Sequence, residues 1–141
     1  MTTLDFTLRL LAAVGAGMLI GFERQWHHKA AGLRTNTLVA TGAALYVLLS
    51  ILLTEQTGDV TRIIGQVVTG VGFLGAGIIF KEGFNVHGLT TAATVWCSSA
   101  VGSLAAAGFF LEVGIGVAAI LFANFILMPI DDWLTNRKGK E

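Results

Sequence analysis

Five long apolar runs occupy most of this 141-residue chain, and they restrict the folds open to it more than any other feature. They cover approximately residues 4–22, 37–53, 63–80, 89–107 and 109–130. A helix that crosses the ~30 Å hydrocarbon core of a bilayer needs roughly 20 apolar residues. Because each run is close to that length, the sequence predicts an all-α, polytopic membrane bundle of about five helices. Only a tight turn near Gly108 separates the last two runs.

The composition supports this class of fold and argues against several others. Hydrophobic residues make up 54% of the chain and charged residues 13%, whereas a soluble domain averages about 25% charged residues. The net charge of zero provides no basic field for nucleic acid. The single cysteine, Cys97, excludes an internal disulfide and a CxxC motif. Residues 1–6 lack a basic signal-peptide region, so the first run is interpreted as an uncleaved span.

Lysine and arginine residues are distributed unevenly between the two ends of the predicted spans. One side carries seven and the other carries two: Arg24, Lys29, Arg34, Lys81, Arg137, Lys138 and Lys140 against Arg9 and Arg62. Because positive residues accumulate on the cytoplasmic side, we expect the N-terminus outside and the C-terminus inside. Residues 1–134 would then form a single transmembrane domain, and residues 135–141 a short basic cytoplasmic tail.

The second and fourth runs begin with similar sequences. Gly32-Leu-Arg-Thr35 opens the second run, and Gly88-Leu-Thr-Thr91 opens the fourth, 56 residues later. One interpretation is a parallel repeat in which the hairpin of runs 1-2 corresponds to the hairpin of runs 3-4. The other is independent convergence of two glycine-rich membrane hairpins.

Charged residues at the ends of apolar runs mark the first candidate site. We define the inner-face polar cluster as Glu23, Arg24, Gln25, Arg34 and Thr35. One interpretation is a solvated loop with a single ion pair, and Thr35 or Thr37 would cap the second helix. The other is a cytoplasmic cluster that contacts an ion, a lipid headgroup or a partner. A charged pair so close to the membrane is less screened than a surface salt bridge.

A second group of polar residues precedes and enters the third run. Asp59 is expected to cap the third helix and to pair with Arg62. The same residues are also a candidate outward-facing cation site, in which Gln66 would supply a neutral oxygen deeper in the membrane. Both interpretations remain open at the level of sequence.

The inner loop between the third and fourth runs contains Lys81, Asn85, Thr90 and Thr91. Asn85 suits a turn, and Thr90 or Thr91 would cap the fourth helix. Turn and capping chemistry explains these residues about as well as ligand binding does.

Glycines are concentrated in the first and third runs. The predicted helix-packing positions are Gly17, Gly21, Gly70, Gly72, Gly75 and Gly77. In lipid, small residues allow helix backbones to approach closely, so packing is the favoured role. Local unwinding and exposed carbonyls that line a cavity are the alternatives for the third run. The spacing of Gly17 and Gly21 suits helix pairing or a dimer.

Four motifs together resemble the MgtC/SapB family of bacterial inner-membrane proteins. They are Glu23-Arg-Gln25, Ala31-Gly-Leu-Arg-Thr-Asn-Thr-Leu-Val39, Gly72-Phe-Leu-Gly-Ala-Gly77 and Gly88-Leu-Thr-Thr-Ala-Ala93. The resemblance covers about residues 9–130. It implies a multi-pass protein of the bacterial inner membrane, associated with growth in low magnesium and, in pathogens, with survival inside macrophages.

The resemblance also implies a mode of action. Virulence members of the family are regulators that act on other membrane proteins, including the F-type ATP synthase, and magnesium transport is an older assignment. The stretch that contains Asn85 matches one regarded as functionally important. Many members carry a soluble C-terminal domain, and a sequence that stops at Glu141 is expected to be a short member without it.

These residues favour three classes of function to different degrees. An enzyme is not expected, because the sequence shows no nucleophile–base pair, metal cluster or cofactor loop. No cofactor is expected, and Mg²⁺ is the one candidate ion. A magnesium transporter needs hard oxygen ligands, and none of the nine acidic residues lies near the middle of a span. An oligomer with a ring of Glu23 or Asp59 is therefore the form in which transport remains an alternative.

The favoured class is a regulator that binds its partners through exposed surfaces in the membrane and at the cytoplasmic face, which the glycine faces and the first loop would supply. Its expected partners are the lipid bilayer, another membrane protein and a second copy of the chain, and nucleic acid is not among them.

Overall fold

The structure is a computed structural model that describes residues 1–54 and 59–138. Its elements are α1 (Thr3–Trp26), α2 (Leu33–Thr54), α3 (Val60–Ile78), β1 (Phe80–Glu82), β2 (Asn85–His87), α4 (Leu89–Ala107) and α5 (Phe110–Lys138). Each helix contains a segment that is long and apolar enough to cross a membrane. This finding confirms the prediction of about five apolar helices, whereas the orientation and the internal repeat stay predictions.

Helices α1, α2 and α4 form the centre of the bundle, because glycines let their backbones meet. A Cβ atom on Gly17 would lie 2.8 Å from the carbonyl oxygen of Asn36, and one on Gly21 would lie 2.6 Å from the Cα of Leu33. A Cβ on Gly102 of α4 would overlap the carbonyl oxygen of Ala40. These separations are too short for any side chain, so the three helices pack through bare backbone.

The two remaining helices lie at the periphery of this central unit. Helix α3 packs mainly on α4 and α2, and α5 packs on α1 and α4. Most of the side chains of both helices are exposed, as expected for helices that face lipid. Helix α5 continues through Pro129 as far as Lys138, so it extends beyond the predicted fifth span and into the predicted tail. Residues 139–141 of that tail lie outside the described residues.

Helix α2 begins earlier than the sequence indicated. It starts at Leu33, and Thr35 and Thr37 therefore lie inside the helix rather than at its N-cap. The capping prediction for these two residues is wrong. The hydroxyl of Thr37 donates instead to the carbonyl oxygen of Leu33 at 2.7 Å. Such a bond to the preceding turn satisfies a threonine hydroxyl in an apolar environment.

Helix α4 begins without a side-chain cap. Its N-cap is Gly88, which has a left-handed backbone with φ 86°. A Cβ on Gly88 would overlap the carbonyl oxygen of Ile78, so both the conformation and the space require glycine. The prediction that Thr90 or Thr91 caps this helix is wrong. The predicted cap of α3 is confirmed, because Asp59 accepts a hydrogen bond of 2.9 Å from the amide of Thr61.

The all-α prediction omitted a short antiparallel hairpin between α3 and α4. Phe80 pairs with His87, Lys81 with Val86 and Glu82 with Asn85. Gly83 in the connecting turn has φ +59°, and two-residue hairpin turns need such conformations. The hairpin takes the place of the predicted last residues of the third span, because α3 ends at Ile78.

Candidate functional site

The last turn of α1 carries the two charged residues that the sequence singled out. Consecutive residues of a helix project about 100° apart, so neighbouring side chains reach different partners. Glu23 faces α5, and Arg24 faces the start of α4. One turn of helix therefore supplies an anion and a cation to two separate polar environments.

A chain of hydrogen bonds that begins at Glu23 links three helices. We define the Glu23 network as Glu23, His27, Thr94 and Asn124. Oε2 of Glu23 accepts from Nδ2 of Asn124 at 3.1 Å. Oε1 of Glu23 lies 3.1 Å from Nδ1 of His27. The hydroxyl of Thr94 is 3.3 Å from Oδ1 of Asn124 and also donates to the carbonyl oxygen of Thr90 at 2.8 Å. The network therefore links α1, α4 and α5.

An aromatic contact lies beside this network. The ring of His27 meets the ring of Phe125 edge to face, with centroids 5.5 Å apart. Since α5 exposes most of its remaining surface, Asn124 and Phe125 are specific attachment points at this end of the helix. The arrangement fixes the position of α5 relative to the first loop.

Arg24 is the buried cation of the site. Its side chain is only 3% exposed, and Nη2 donates to the hydroxyl of Thr91 at 2.6 Å. A longer contact of 3.5 Å reaches the carbonyl oxygen of Ala30. Nε is buried and has no hydrogen-bond partner. No described carboxylate oxygen lies within 4.0 Å of the guanidinium, so Arg24 carries a buried charge without an ion pair.

The other members of the inner-face polar cluster lie apart from these contacts. Gln25 is exposed, and its Oε1 lies over Gly32. Arg34 and Thr35 are exposed in the first turn of α2 and form no side-chain hydrogen bond or ion pair with the described residues. The structure thus brings Glu23 and Arg24 to two adjoining networks but leaves Arg34 and Thr35 outside them. A functional role for the cluster stays a prediction.

The outer group of residues is organised by Asp59. Its Oδ1 accepts from both the amide and the hydroxyl of Thr61, and these bonds hold the pKa of Asp59 below its ordinary value. The amide of Arg62 donates to the carbonyl oxygen of Asp59 at 3.3 Å. Gln66 lies farther along α3 and lines a groove with α2. Asp59 therefore acts as a helix cap, and the cation site remains a prediction.

The inner-loop residues divide into two environments. Lys81 and Asn85 lie on the exposed hairpin, and Thr90 is exposed at the start of α4. Thr91 is buried against Arg24. Phe84, at the tip of the hairpin, is fully exposed.

The glycines of α3 differ from those of α1 in what surrounds them. A Cβ on Gly70, Gly72 or Gly77 would meet no atom of the described residues within 4 Å, and one on Gly75 would lie 3.7 Å from the Cβ of Ala92. Among these four glycines, Gly75 is therefore the one that packs directly against another helix in the described part of the chain. Beside these residues, α2 and α3 enclose an almost entirely apolar groove of about 600 Å³.

Sequence reasoning missed several polar contacts that cross between helices. Asn36 accepts a buried hydrogen bond of 2.8 Å from Ser98, and its amide donates to the carbonyl oxygens of Ala31 and Gly32. Asn124 and Thr94 were also missed. An amide deep within an apolar run is itself a signal, because such groups form interhelical hydrogen bonds in lipid. The residues that the structure describes include no group of three or more metal-binding side chains.

Comparison with known proteins gives a consistent family assignment. The family model described as the MgtC family matches residues 10–133. The chain is 54% identical over 121 residues to Protein MgtC of Brucella abortus, which covers 86% of this chain and 50% of that protein. It is 50% identical over 127 residues to Protein MgtC of Salmonella typhimurium, which covers 90% and 54% respectively.

Another relative is an uncharacterized protein of Synechocystis. It is 50% identical over 130 residues, which are 92% of this chain and 55% of the relative. The chain therefore spans about half the length of the curated relatives that it matches. No solved structure gives a significant match. With five apolar helices and a family match over nearly its whole length, the chain belongs to the MgtC family.

Proposed function

We propose that this protein is a multi-pass regulator of the bacterial inner membrane. In this proposal it supports adaptation to low magnesium or survival inside macrophages by acting on other membrane proteins, such as the F-type ATP synthase. It is neither an enzyme nor a cofactor carrier. Family membership and the relatives named Protein MgtC support an MgtC-type role.

The observation that carries the proposal is the lipid-facing surface of α3. We define the α3 glycine face as Gly65 and Gly72, which lie two turns apart on one side of the helix. Neither has an atom of the described residues within 4 Å of its Cβ position. Phe73 on the same helix is 80% exposed. In a bilayer, bare backbone of this kind favours pairing with another transmembrane helix, because dispersion and weak backbone contacts drive helix association there.

The glycines of α1 provide a comparison within the same molecule. Gly17 and Gly21 are covered by α2, so the small-residue surface of α1 is already used. The α3 glycine face has the same composition but no partner among the described residues. A surface of this kind fits a helix of another membrane protein or of a second copy of the chain.

The alternative is a magnesium or other cation transporter that acts as an oligomer. Mg²⁺ requires near-octahedral oxygen ligands and usually retains several waters. In the described part of the chain, Glu23 is engaged by Asn124 and His27, and Asp59 is engaged by Thr61. The groove between α2 and α3 contains mostly apolar side chains. These observations favour the regulator.

The proposal is tested by adding a bulky side chain to the α3 glycine face at a position where the fold leaves room for it. Gly72→Leu should insert as well as the wild-type protein but lose support of growth in low magnesium. Gly114→Leu is the matched control, because Gly114 in α5 also has no atom within 4 Å of its Cβ position. ATP-driven proton pumping in inverted vesicles would report on the ATP synthase directly.

Two results would overturn the regulator assignment. One is normal low-magnesium growth with Gly72→Leu at wild-type protein levels. The other is magnesium flux into proteoliposomes that contain only this protein, provided that the flux disappears in Glu23→Gln or Asp59→Asn. The second result would establish the transporter.

A further inference from the structure

The buried guanidinium of Arg24 forms no ion pair within 4.0 Å in the described structure. Its hydrogen bonds go to a hydroxyl and a carbonyl oxygen, both of which are neutral, and its Nε is buried without a partner. Removing a charge from water is costly unless a counter-charge and hydrogen bonds replace the solvent. Glu23 is adjacent in sequence, but its carboxylate is directed to Asn124 and His27. Glu23 therefore compensates the charge of Arg24 only through space, and the guanidinium can still donate direct hydrogen bonds to the oxygens of an external anion.

The first turn of α4 adds a second source of positive potential at the same place. Thr91, the hydrogen-bond partner of Arg24, is the third residue of this 19-residue helix. The helix has no side-chain cap and no acidic residue in its first turn. The amides of Leu89, Thr90 and Thr91 therefore have no acceptor among the described groups. Helix N-termini with free amides and an aligned dipole bind anions, phosphate in particular.

The loop at residues 27–32 covers Arg24, and its contact with the guanidinium is weak. The bond to the Ala30 carbonyl is 3.5 Å long, which is the outer limit for a hydrogen bond. His28 and Ala31 both have φ 53°, a left-handed conformation that is uncommon for residues other than glycine. His28, Lys29 and Ala30 are exposed, and the amides of His28 and Lys29 are anchored to the carbonyl oxygens of Gln25 and Arg24. The long Ala30 contact is therefore the part of the loop that a ligand would replace.

We propose that Arg24 and the first turn of α4 form a binding site for a phosphate group, which enters by displacing the Ala30 carbonyl. A guanidinium suits phosphate because its planar fork donates two parallel hydrogen bonds. Arg24 and Thr91 lie at the ends of two membrane spans, and the exposed Trp26 follows Arg24 by two residues in the last turn of α1, as suits an indole ring at the interface. A phosphate there comes from an anionic lipid headgroup or from free inorganic phosphate. The site is independent of whether the protein regulates a partner or transports an ion.

The test uses the purified full chain and two sources of phosphate. In a neutral detergent, inorganic phosphate should raise the midpoint of thermal unfolding relative to chloride at equal ionic strength. In nanodiscs, the protein should retain phosphatidylglycerol in preference to phosphatidylcholine, as counted by native mass spectrometry. A response in the first arm identifies free phosphate, and a response in the second identifies a lipid headgroup. Absence of both would overturn the proposal and leave Arg24 a structural contact.

Two variants distinguish phosphate binding at this site from a general attraction of anions to positive charge. Arg24→Gln should weaken binding by at least about tenfold, since it removes a charge-assisted hydrogen bond. Arg34→Gln removes an exposed cation nearby and should change binding by less than about twofold.

A second pair of variants keeps the test decisive if Arg24→Gln does not fold. Thr90 is exposed, and its side chain forms no described hydrogen bond. Thr90→Asp places a carboxylate at the free N-terminus of α4, which favours the helix and competes with phosphate. Binding should weaken by about threefold to fivefold relative to the neutral Thr90→Asn. Equal binding by Thr90→Asp and Thr90→Asn would contradict the proposed site.

Discussion

Nη1 of Arg9 donates a hydrogen bond of 2.9 Å to the carbonyl oxygen of Ala106 in the last turn of α4. At the other end of α1, Arg24 meets Thr91 in the first turn of the same helix. One helix therefore places a cation at each end of its neighbour. Arg9 lies at the C-terminus, where the helix dipole favours a positive charge, and Arg24 lies at the N-terminus, where it does not. The two arginines thus have opposite electrostatic relations to α4.

Removing the Arg9 contact should destabilise the bundle. Arg9→Gln would eliminate hydrogen bonds to both Ala106 and Asp5, and hydrogen bonds to charged groups contribute about 1.5–3 kcal/mol. We expect a loss of roughly that size in the free energy of unfolding in mixed micelles. Arg62→Gln, at an exposed position, should change it by less than about 0.5 kcal/mol. Equal effects of the two variants would contradict a specific role for Arg9.

Gly102 should be intolerant of the smallest side chain. Gly102→Ala would force a Cβ into the carbonyl group of Ala40, and overpacking of this kind costs about 1–3 kcal/mol. Gly70→Ala is the control, because its Cβ would meet no atom within 4 Å. Its higher helix propensity should leave stability unchanged or raise it by up to ~1 kcal/mol. Unfolding in mixed micelles compares the two, and destabilisation by Gly70→Ala instead would place α3 in the core.

Asn124 should couple energetically to Thr94 and Glu23. Asn124→Leu removes bonds to both residues, and interhelical hydrogen bonds in membrane proteins contribute about 0.6–1.7 kcal/mol. We expect a loss of stability in that range. A double-mutant cycle with Thr94→Val should give non-additive effects, since the two side chains share one network. Strict additivity would indicate that the Thr94–Asn124 contact is energetically negligible.

The cap of α3 should weaken in acid. Hydrogen bonds from Thr61 lower the pKa of Asp59 below 3.8, so the folded state favours the carboxylate. A lowered folded pKa gives stability that is present above the unfolded pKa and is lost as pH falls through the folded pKa. We therefore expect the amide resonance of Thr61 to shift as pH falls below 3.8. Asp59→Asn should abolish this titration, and its persistence would assign the shift to another group.

Much of the fold was predictable from hydrophobic runs and glycine positions. Helix α4 has the predicted bounds Leu89–Ala107, because Gly88 and Gly108 both take left-handed conformations at its ends. The predicted start of helix α2 lies too far along the chain, because Asn36 breaks the apolar pattern. Its side chain is satisfied by Ser98 on another helix, and a tertiary contact of that kind is not visible in the local sequence.

The candidate site was predicted less completely than the fold. The charges at Glu23 and Arg24 indicated where a site would lie, since ionised groups near a membrane need partners. Their partners, Asn124 and Thr91, are 101 and 67 residues away in the chain. Only helix packing brings them together. The glycine-rich run of α3 predicted helix packing, but the sequence could not indicate which glycines face another helix of the chain, because small residues suit an internal contact and an external one equally.

The three close contacts made by Gly17, Gly21 and Gly102 also constrain how this sequence can diverge. Any substitution there must move a whole helix, because the obstructing atoms belong to backbone rather than to a flexible side chain. On α3, by contrast, no atom in residues 1–54 and 59–138 opposes a new side chain at Gly70, Gly72 or Gly77. If those positions resist replacement in living cells, the restriction must originate outside the protomer. A saturation screen at these six glycines would therefore show which positions are restricted by contacts with other molecules and which by contacts within the chain.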